Sequence, residues 1–307
     1  MLFFFILLYA QKYIVLLYMS ITITESKEAV PIAKVKGTET IIYFEQSPKI
    51  VLPTIPHKNI KMHTYICPFC KKTIQKKSDY INHVLHVCKQ KTNELSNKYE
   101  TLEEVIIIPR NEHAIIFVSG PPDSGKTYTI NQYAKAYKRI YNRKIFYFTR
   151  NPEDPSLNEE LYTKILIDQI DPIKSKFPLN GFRDSLVIFD DIETSEKPKV
   201  TKYLFQLIND IAKNGRHVNC SIIFANQELL LGIHTKVILR IATELIIFPQ
   251  YSSPHECRSA LTKYFSLAPN EIDFIMNLKS RWALIRKKGL KYCIHQHGAY
   301  MIGTEIY

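Results

Sequence analysis

Eight consecutive residues constrain this chain more than anything else in it: Gly120-Pro-Pro-Asp-Ser-Gly125-Lys126-Thr127, set after an apolar run and before a helix-forming stretch. Glycine at both ends lets the backbone turn tightly and come close to a bound anion. The N–H groups of such a loop, and of the helix start behind it, lack partners of their own and point into the turn. The spacing therefore predicts a phosphate cradle between a buried strand and a helix. Gly120, Pro121, Pro122, Asp123, Ser124, Gly125, Lys126 and Thr127 are the expected ATP-binding residues. Lys126 is expected to reach the β- and γ-phosphates, and the Thr127 hydroxyl to ligate Mg²⁺.

A phosphate cradle of this kind needs an acid for its metal. Ser185-Leu-Val-Ile-Phe-Asp190-Asp191 supplies one: an apolar run that ends in two carboxylates. Asp190 is expected to hold Mg²⁺ through water. Asp191 or Glu193 is expected to orient and polarise an attacking water, with Asp191 favoured because it adjoins the metal ligand. A third apolar run, Cys220-Ser-Ile-Ile-Phe-Ala, ends in Asn226-Gln227. Gln227 there reads as a sensor of the γ-phosphate or the water. Taken alone, an amide at a strand end is as readily a structural cap.

Short apolar runs alternating with helical stretches predict strands over 114–119, 144–149, 185–190, 220–225 and 244–248, and helices over 126–141, 158–170 and 200–213. That order argues an α/β fold, a mostly parallel sheet covered by helices on both faces. The strand over 144–149 falls between the two motifs and is expected as an additional sheet strand between them, as in RecA-like P-loop NTPases.

This domain is expected to span 104–307 and to end in a hairpin around Trp282-Ala-Leu-Ile-Arg-Lys-Lys-Gly-Leu-Lys-Tyr. Before it, residues 1–20 are strongly apolar apart from Gln11 and Lys12, and read either as an upstream extension of a chain that starts at Met19 or as a membrane anchor. Residues 21–60, dotted with Pro31, Pro48, Pro53 and Pro56, read as an extended arm, partly ordered, around one strand-like run, Thr40-Ile-Ile-Tyr-Phe44. Residues 91–103 read as a polar linker or exposed helix.

Residues 61–90 carry Cys67-x₂-Cys70-x₁₂-His83-x₄-Cys88. That spacing fits a tetrahedral Zn²⁺ site on a small ββα finger, with Ile74 and Tyr80 as its apolar core. His86 is a rival for the fourth place, although its distance from His83 is short of the usual range. A segment this short would draw its folding energy from the metal, about 10–16 kcal/mol by analogy with zinc-finger peptides. The other cysteines, Cys220, Cys257 and Cys293, are scattered, so the chain is no disulfide framework.

The chain has 307 residues, a net charge of +12 and a pI near 9.2. That balance favours a polyanionic partner. Lysines crowd the cysteine cluster (Lys58, Lys61, Lys71, Lys72, Lys76, Lys77, Lys89, Lys91). More basic residues lie before the second motif (Lys174, Lys176, Arg183) and on the closing hairpin (Arg281, Arg286, Lys287, Lys288, Lys291). Any of these can face nucleic acid. For a single residue, a solvated loop or edge-strand charge is the commoner reading.

Upstream of the third apolar run stands Gly215-Arg216-His217-Val-Asn219-Cys-Ser221. This string, with an apolar strand ending in glutamine after it, resembles the DNA-packaging ATPases of poxviruses and other nucleocytoplasmic large DNA viruses, a branch of the FtsK–HerA superfamily. The paired Asp190-Asp191 and the Arg240 that precedes the last sheet strand resemble that branch too. The resemblance covers about 104–248. It implies a viral ATPase that translocates double-stranded DNA into a capsid, acting at the host cytoplasmic assembly site or in the virion. It further implies a self-assembled ring, usually a hexamer, and a capsid or portal partner. Arg216 is then an arginine finger reaching the neighbour's γ-phosphate, with Arg240 the second candidate. Many superfamily motors carry Glu where this chain has Asp191. Two rivals stand beside this reading: a P-loop nucleoside kinase, and a zinc-finger DNA-binding or transcription factor with a nucleotide switch.

Overall fold

The computed structural model describes residues 8–10, 13–23, 25, 29–53, 65–66, 72–76, 79, 98–151, 160–194, 197–230, 232–289 and 291–302. The first strands are β1 (Leu8–Ala10), β2 (Tyr13–Thr22), β3 (Ala29–Val35) and β4 (Ile41–Pro53). A short antiparallel pair follows, β5 (Tyr65–Ile66) with β6 (Thr73–Ile74), then β7 (Lys98–Glu100) and β8 (Val105–Ile107). Strand β9 (Ile115–Ser119) runs into helix α1 (Lys126–Tyr141). Next come β10 (Lys144–Thr149), β11 (Thr163–Leu166), β12 (Ser185–Asp190) and helix α2 (Pro198–Asn214). The chain continues through β13 (Ser221–Asn226), α3 (Gly232–Ile241), β14 (Glu244–Ile247), α4 (Pro254–Phe265) and α5 (Pro269–Met276). It closes with β15 (Ala283–Arg286), β16 (Tyr292–His295) and β17 (Gly298–Met301).

The large sheet has ten strands in the order β11-β10-β12-β13-β9-β14-β15-β16-β17-β7. Neighbours from β11 to β14 are parallel; those from β14 to β7 are antiparallel. Successive side chains of a strand point to opposite faces, and here both faces are apolar because both are covered. Ile115, Phe117, Val187 and Phe189 enter one core, where α2, α3, α4 and α5 pack. Ile116, Val118, Leu186 and Ile188 enter the other, with Ile130, Tyr133, Ala134 and Tyr137 of α1. The chain is thus an α/β fold around a mostly parallel sheet, as the alternating pattern predicts.

The expected extended arm is instead a folded layer. Strands β1, β2, β4, β3 and β8 form a five-stranded sheet. Its Ile32, Val35, Ile42 and Phe44 share the second core with Tyr292, Ile294 and Trp282, and the Phe44 and Tyr292 ring centroids are 5.9 Å apart. The prolines that argued against strands occupy places a ladder tolerates. Pro31 sits at a register shift against β4, Pro48 lies within the shift against β2, and Pro53 ends its strand. Pro56 lies outside the described residues.

Three further expectations need correction. The helix over 158–170 is β11 and a 3-10 turn, Ile167–Gln169, because the segment pairs in parallel with the edge of β10 and sheet pairing overrides its local preference. The linker over 91–103 contains β7, which adds a tenth strand by pairing with β17. The strand between β9 and β12 is β13, while β10 lies on the far side of β12. Of the first twenty residues, 8–10 and 13–20 are strand, and β2 pairs with β4. Among the described residues no helix is long and apolar enough to cross a membrane.

Candidate active site

Strands β9, β12 and β13 are parallel, so the turns that follow them share one end of the sheet. The phosphate loop leaves β9 there. Gly125 has φ 103° and Asp123 φ 63°, so the loop passes twice through left-handed backbone before α1 begins. Helix α1 has Gly125 at its N-cap, no side-chain cap and no acid in its first turn. Its opening N–H groups and its dipole are therefore free to receive an anion. Lys126 is buried, its Nζ donating to the Gly120 carbonyl at 2.8 Å, which holds the ammonium inside the curl of the loop.

Two observations fit this cradle to phosphate. The Ser124 hydroxyl is buried and has no hydrogen-bond partner among the described residues. A Cβ on Gly120 would lie 2.5 Å from the Phe248 ring and 2.7 Å from Ser124 Oγ, so the position admits glycine only. Thr127 lies in the first turn of α1 and Asp190 ends β12 at the same end of the sheet, and both carry hard oxygen donors of the kind Mg²⁺ takes. Asp190 Oδ2 accepts from the Tyr147 hydroxyl at 2.7 Å.

Asp191 has φ 48°, a left-handed turn that swings its carboxylate back toward the loop. Its Oδ1 lies 3.9 Å from Lys126 Nζ and its Oδ2 lies 3.5 Å from Gln227 Nε2, a long contact. Gln227 is exposed. The residue before it does more. Asn226 is buried, and its Nδ2 donates to Glu193 Oε2 at 2.9 Å and to the Glu228 carbonyl at 3.1 Å. Burial pushes the Glu193 carboxyl above its ordinary range, the neighbouring Glu228 and Asp191 push the same way, and the Asn226 bond pulls it back.

The two predicted arginine fingers lie elsewhere. Arg216 is exposed in the 3-10 turn Gly215–Val218, ahead of β13, and Arg240 is exposed in the last turn of α3, ahead of β14. Both therefore sit at the end of the sheet opposite the phosphate loop. A six-residue strand such as β13 spans about 20 Å. Neither arginine can reach this chain's own phosphates.

The basic hairpin exists, but most of its charges are engaged. Arg281 donates from Nε to the Ser124 carbonyl at 2.9 Å and from Nη2 to the Asp123 carbonyl at 3.0 Å, on the phosphate loop itself. Arg286 is buried, paired with Glu244 and, at 3.1 Å, with Glu112. Lys287 Nζ donates to the Leu239, Arg240 and Tyr264 carbonyls at 2.8, 3.0 and 3.1 Å, closing the ends of α3 and α4, and burial pushes it down to about 8. Arg286 and Lys287 are thus held by protein partners, and Arg281 by the phosphate loop. Cys67, Cys70, His83, Cys88 and the rival His86 lie outside the described residues; β5 and β6 bracket Cys67 and Cys70 in sequence. Among the described residues, no group of three or more His, Cys, Asp and Glu side chains could hold a metal ion.

Sequence reasoning missed Asn226, Tyr147 and Arg281 as site residues. Asn226 was visible as a polar residue closing a buried strand, one place before the expected sensor. Tyr147 occupies an apolar run and signals nothing. Arg281 comes from 157 residues beyond Ser124, a contact no local pattern announces.

No protein-family model matches the sequence. Among solved structures, the genome packaging NTPase B204 of Sulfolobus turreted icosahedral virus 2, in complex with ATP-gammaS, is 16% identical with a TM-score of 0.42, over 58% of this chain and 93% of that one. ATPases 2 and 3 of Thermomonospora curvata EccC are 10% identical with a TM-score of 0.37, over 66% of this chain and 39% of that one. Among curated proteins, the uncharacterized protein V3 of Sputnik virophage is 30% identical over 189 residues, which is 60% of this chain and 76% of V3. On that match, the chain belongs to the same viral family as protein V3 of Sputnik virophage.

Proposed function

We propose that the chain is an ATP-driven motor that moves double-stranded DNA into a viral capsid. The observation that carries this reading is the meeting, at one end of one sheet, of Lys126, Asp191 and Gln227, with Asp190 at the close of the same strand and Glu193 held by Asn226. Lys126 and the loop N–H groups hold the triphosphate, Thr127 and Asp190 would hold Mg²⁺, and Glu193 receives the proton of the attacking water. Bound Mg²⁺ supplies charge neutralisation on the phosphate oxygens. The 2.9 Å bond from Asn226 to Glu193 supports Glu193 as the base over Asp191, which lies 3.9 Å from Lys126.

Arg216 and Arg240 are exposed and so open to a neighbouring subunit, and the resemblance to ring-forming motors favours a site completed in that way. The net charge of +12 and the Gly-Arg-His string support duplex DNA as the cargo track. The Cys67, Cys70, His83, Cys88 spacing, bracketed by β5 and β6, supports a Zn²⁺ finger as a docking element on DNA or on a capsid or portal protein.

The test is Mg²⁺-dependent ATP hydrolysis by the intact protein. Lys126→Ala and Arg216→Ala should each be inactive, and a mixture of the two should regain activity because each restores what the other's site lacks. Full activity of Lys126→Ala alone sinks the hydrolytic reading. Two inactive variants that stay inactive when mixed sink the shared site.

A further inference from the structure

The residues assigned so far seat the phosphates and leave the nucleoside without a place. Strand β9 has β13 on one side and β14 on the other. Asp190 ends β12 and Asp191 and Glu193 follow it, beyond β13, so a triphosphate whose γ-end faces them trails its nucleoside toward β14. Strand β15 runs antiparallel to β14, with Ile247 opposite Ala283. The turn leaving β14 and the loop entering β15 therefore lie together at the phosphate-loop end.

Two residues stand there. Tyr251 lies in the turn after β14, tied by its N–H to the Phe248 carbonyl at 2.8 Å, and remains 47% exposed despite its large ring. Arg281 lies in the loop before β15, with its guanidinium carbon 5.9 Å from the Tyr251 ring centroid. The same guanidinium holds the Ser124 and Asp123 carbonyls and lies so close that a Cβ on Gly125 would come within 2.9 Å of Nε. One planar cation thus joins an exposed aromatic ring to the phosphate loop.

We infer, resting on the nucleotide reading above, that Tyr251 is the stacking platform for the nucleobase and that Arg281 ties the platform to the phosphate loop. A ring face reads the π-surface of a base and not its hydrogen-bonding edge, so the site takes nucleobases broadly, purines best because they overlap the ring most. Arg281 acts as a positioning residue: its donation to the Ser124 and Asp123 carbonyls fixes the peptide units of the cradle.

The experiment is calorimetric titration of the full chain with two probes in Mg²⁺, the non-hydrolysable AMPPNP and inorganic tripolyphosphate. Stacking on an aromatic ring is worth about 1–3 kcal/mol per base, so Tyr251→Ala should weaken AMPPNP roughly 5- to 150-fold while leaving tripolyphosphate unchanged. Tyr251→Phe should bind both as the parent does. Arg281→Ala should weaken both probes, and Arg281→Lys should not restore them, since a point charge cannot span two carbonyls. Lys126→Ala, losing both probes, reports on the phosphate site separately. Tyr251→Ala that binds AMPPNP like the parent while Lys126→Ala does not would overturn the platform alone. Tyr251→Ala that weakens both probes equally would also overturn it. Lys126→Ala that binds both probes undiminished would overturn the nucleotide site and the platform together.

Discussion

Replacing Asn226 by alanine removes the only amide that holds Glu193 among the described contacts, the 2.9 Å bond from Nδ2 to Oε2. Hydrogen bonds to a charged group contribute about 1.5–3 kcal/mol. If that bond places the carboxylate for the attacking water, its loss lowers kcat roughly ten- to hundredfold. KM for ATP should change little, because Lys126 and the loop are untouched. The pH profile should move as well. Glu193 must be deprotonated to accept a proton, so activity falls on the acid side as pH drops through its pKa. That pKa is raised by burial and restrained by Asn226. Without the restraint it rises further, and the acid limb shifts to higher pH. The assay is steady-state ATP hydrolysis across pH, with circular dichroism to confirm that the variant folds. A folded Asn226→Ala protein with parental kcat and an unmoved acid limb would refute Glu193 as the base.

Two further outcomes follow from buried charge. Arg286 and Glu244 form a buried pair, both 4% exposed, so Arg286→Met should cost about 3–5 kcal/mol in urea unfolding by stranding a carboxylate. Adding Glu244→Leu should recover much of that loss, and strictly additive losses would contradict the pairing. Burial pushes His295 down to about 4 from 6.5. The unfolded imidazole therefore takes up its proton first, and stability present above pH 6.5 is lost as pH falls toward 4, roughly 3 kcal/mol in all. His295→Phe should flatten urea midpoints across that window, and an unchanged pH slope would exclude His295 as the cause.

Much of this molecule is readable before any coordinates, and the rest divides along a physical line. The runs at 115–119, 185–190 and 221–226 announce themselves because a strand buried on both faces has no polar side to disguise it. The loop motif is equally plain, since only a few residue types allow its backbone. Segments whose structure depends on a partner far along the chain were read wrongly. Thr163–Leu166 becomes strand by pairing with β10, and Lys98–Glu100 by pairing with β17. Of the small N-terminal sheet only the run at 40–44, in β4, is legible; Pro31, Pro48 and Pro53 disguise the rest, because they mark bulges and ends and not the absence of strands. At the site, residues adjacent to a motif were found and residues brought by the fold were not. Gln227 is marked by its place at the strand end, whereas Asn226, one residue earlier, is the buried amide bonded to Glu193. Arg281, read as a nucleic-acid-facing or solvated charge, is bonded to the phosphate loop.

The central claim is that hydrolysis at Lys126, Asp190 and Glu193 drives movement of duplex DNA. The direct measurement is the rate of Mg²⁺-dependent ATP hydrolysis by the full chain, alone and with saturating double-stranded DNA, at low and raised salt. The account predicts hydrolysis that rises severalfold with duplex DNA, a stimulation that fades as salt screens the phosphate contacts. Hydrolysis of equal rate with and without duplex DNA at both salt concentrations would contradict the coupling, and no hydrolysis under any of these conditions would contradict the site.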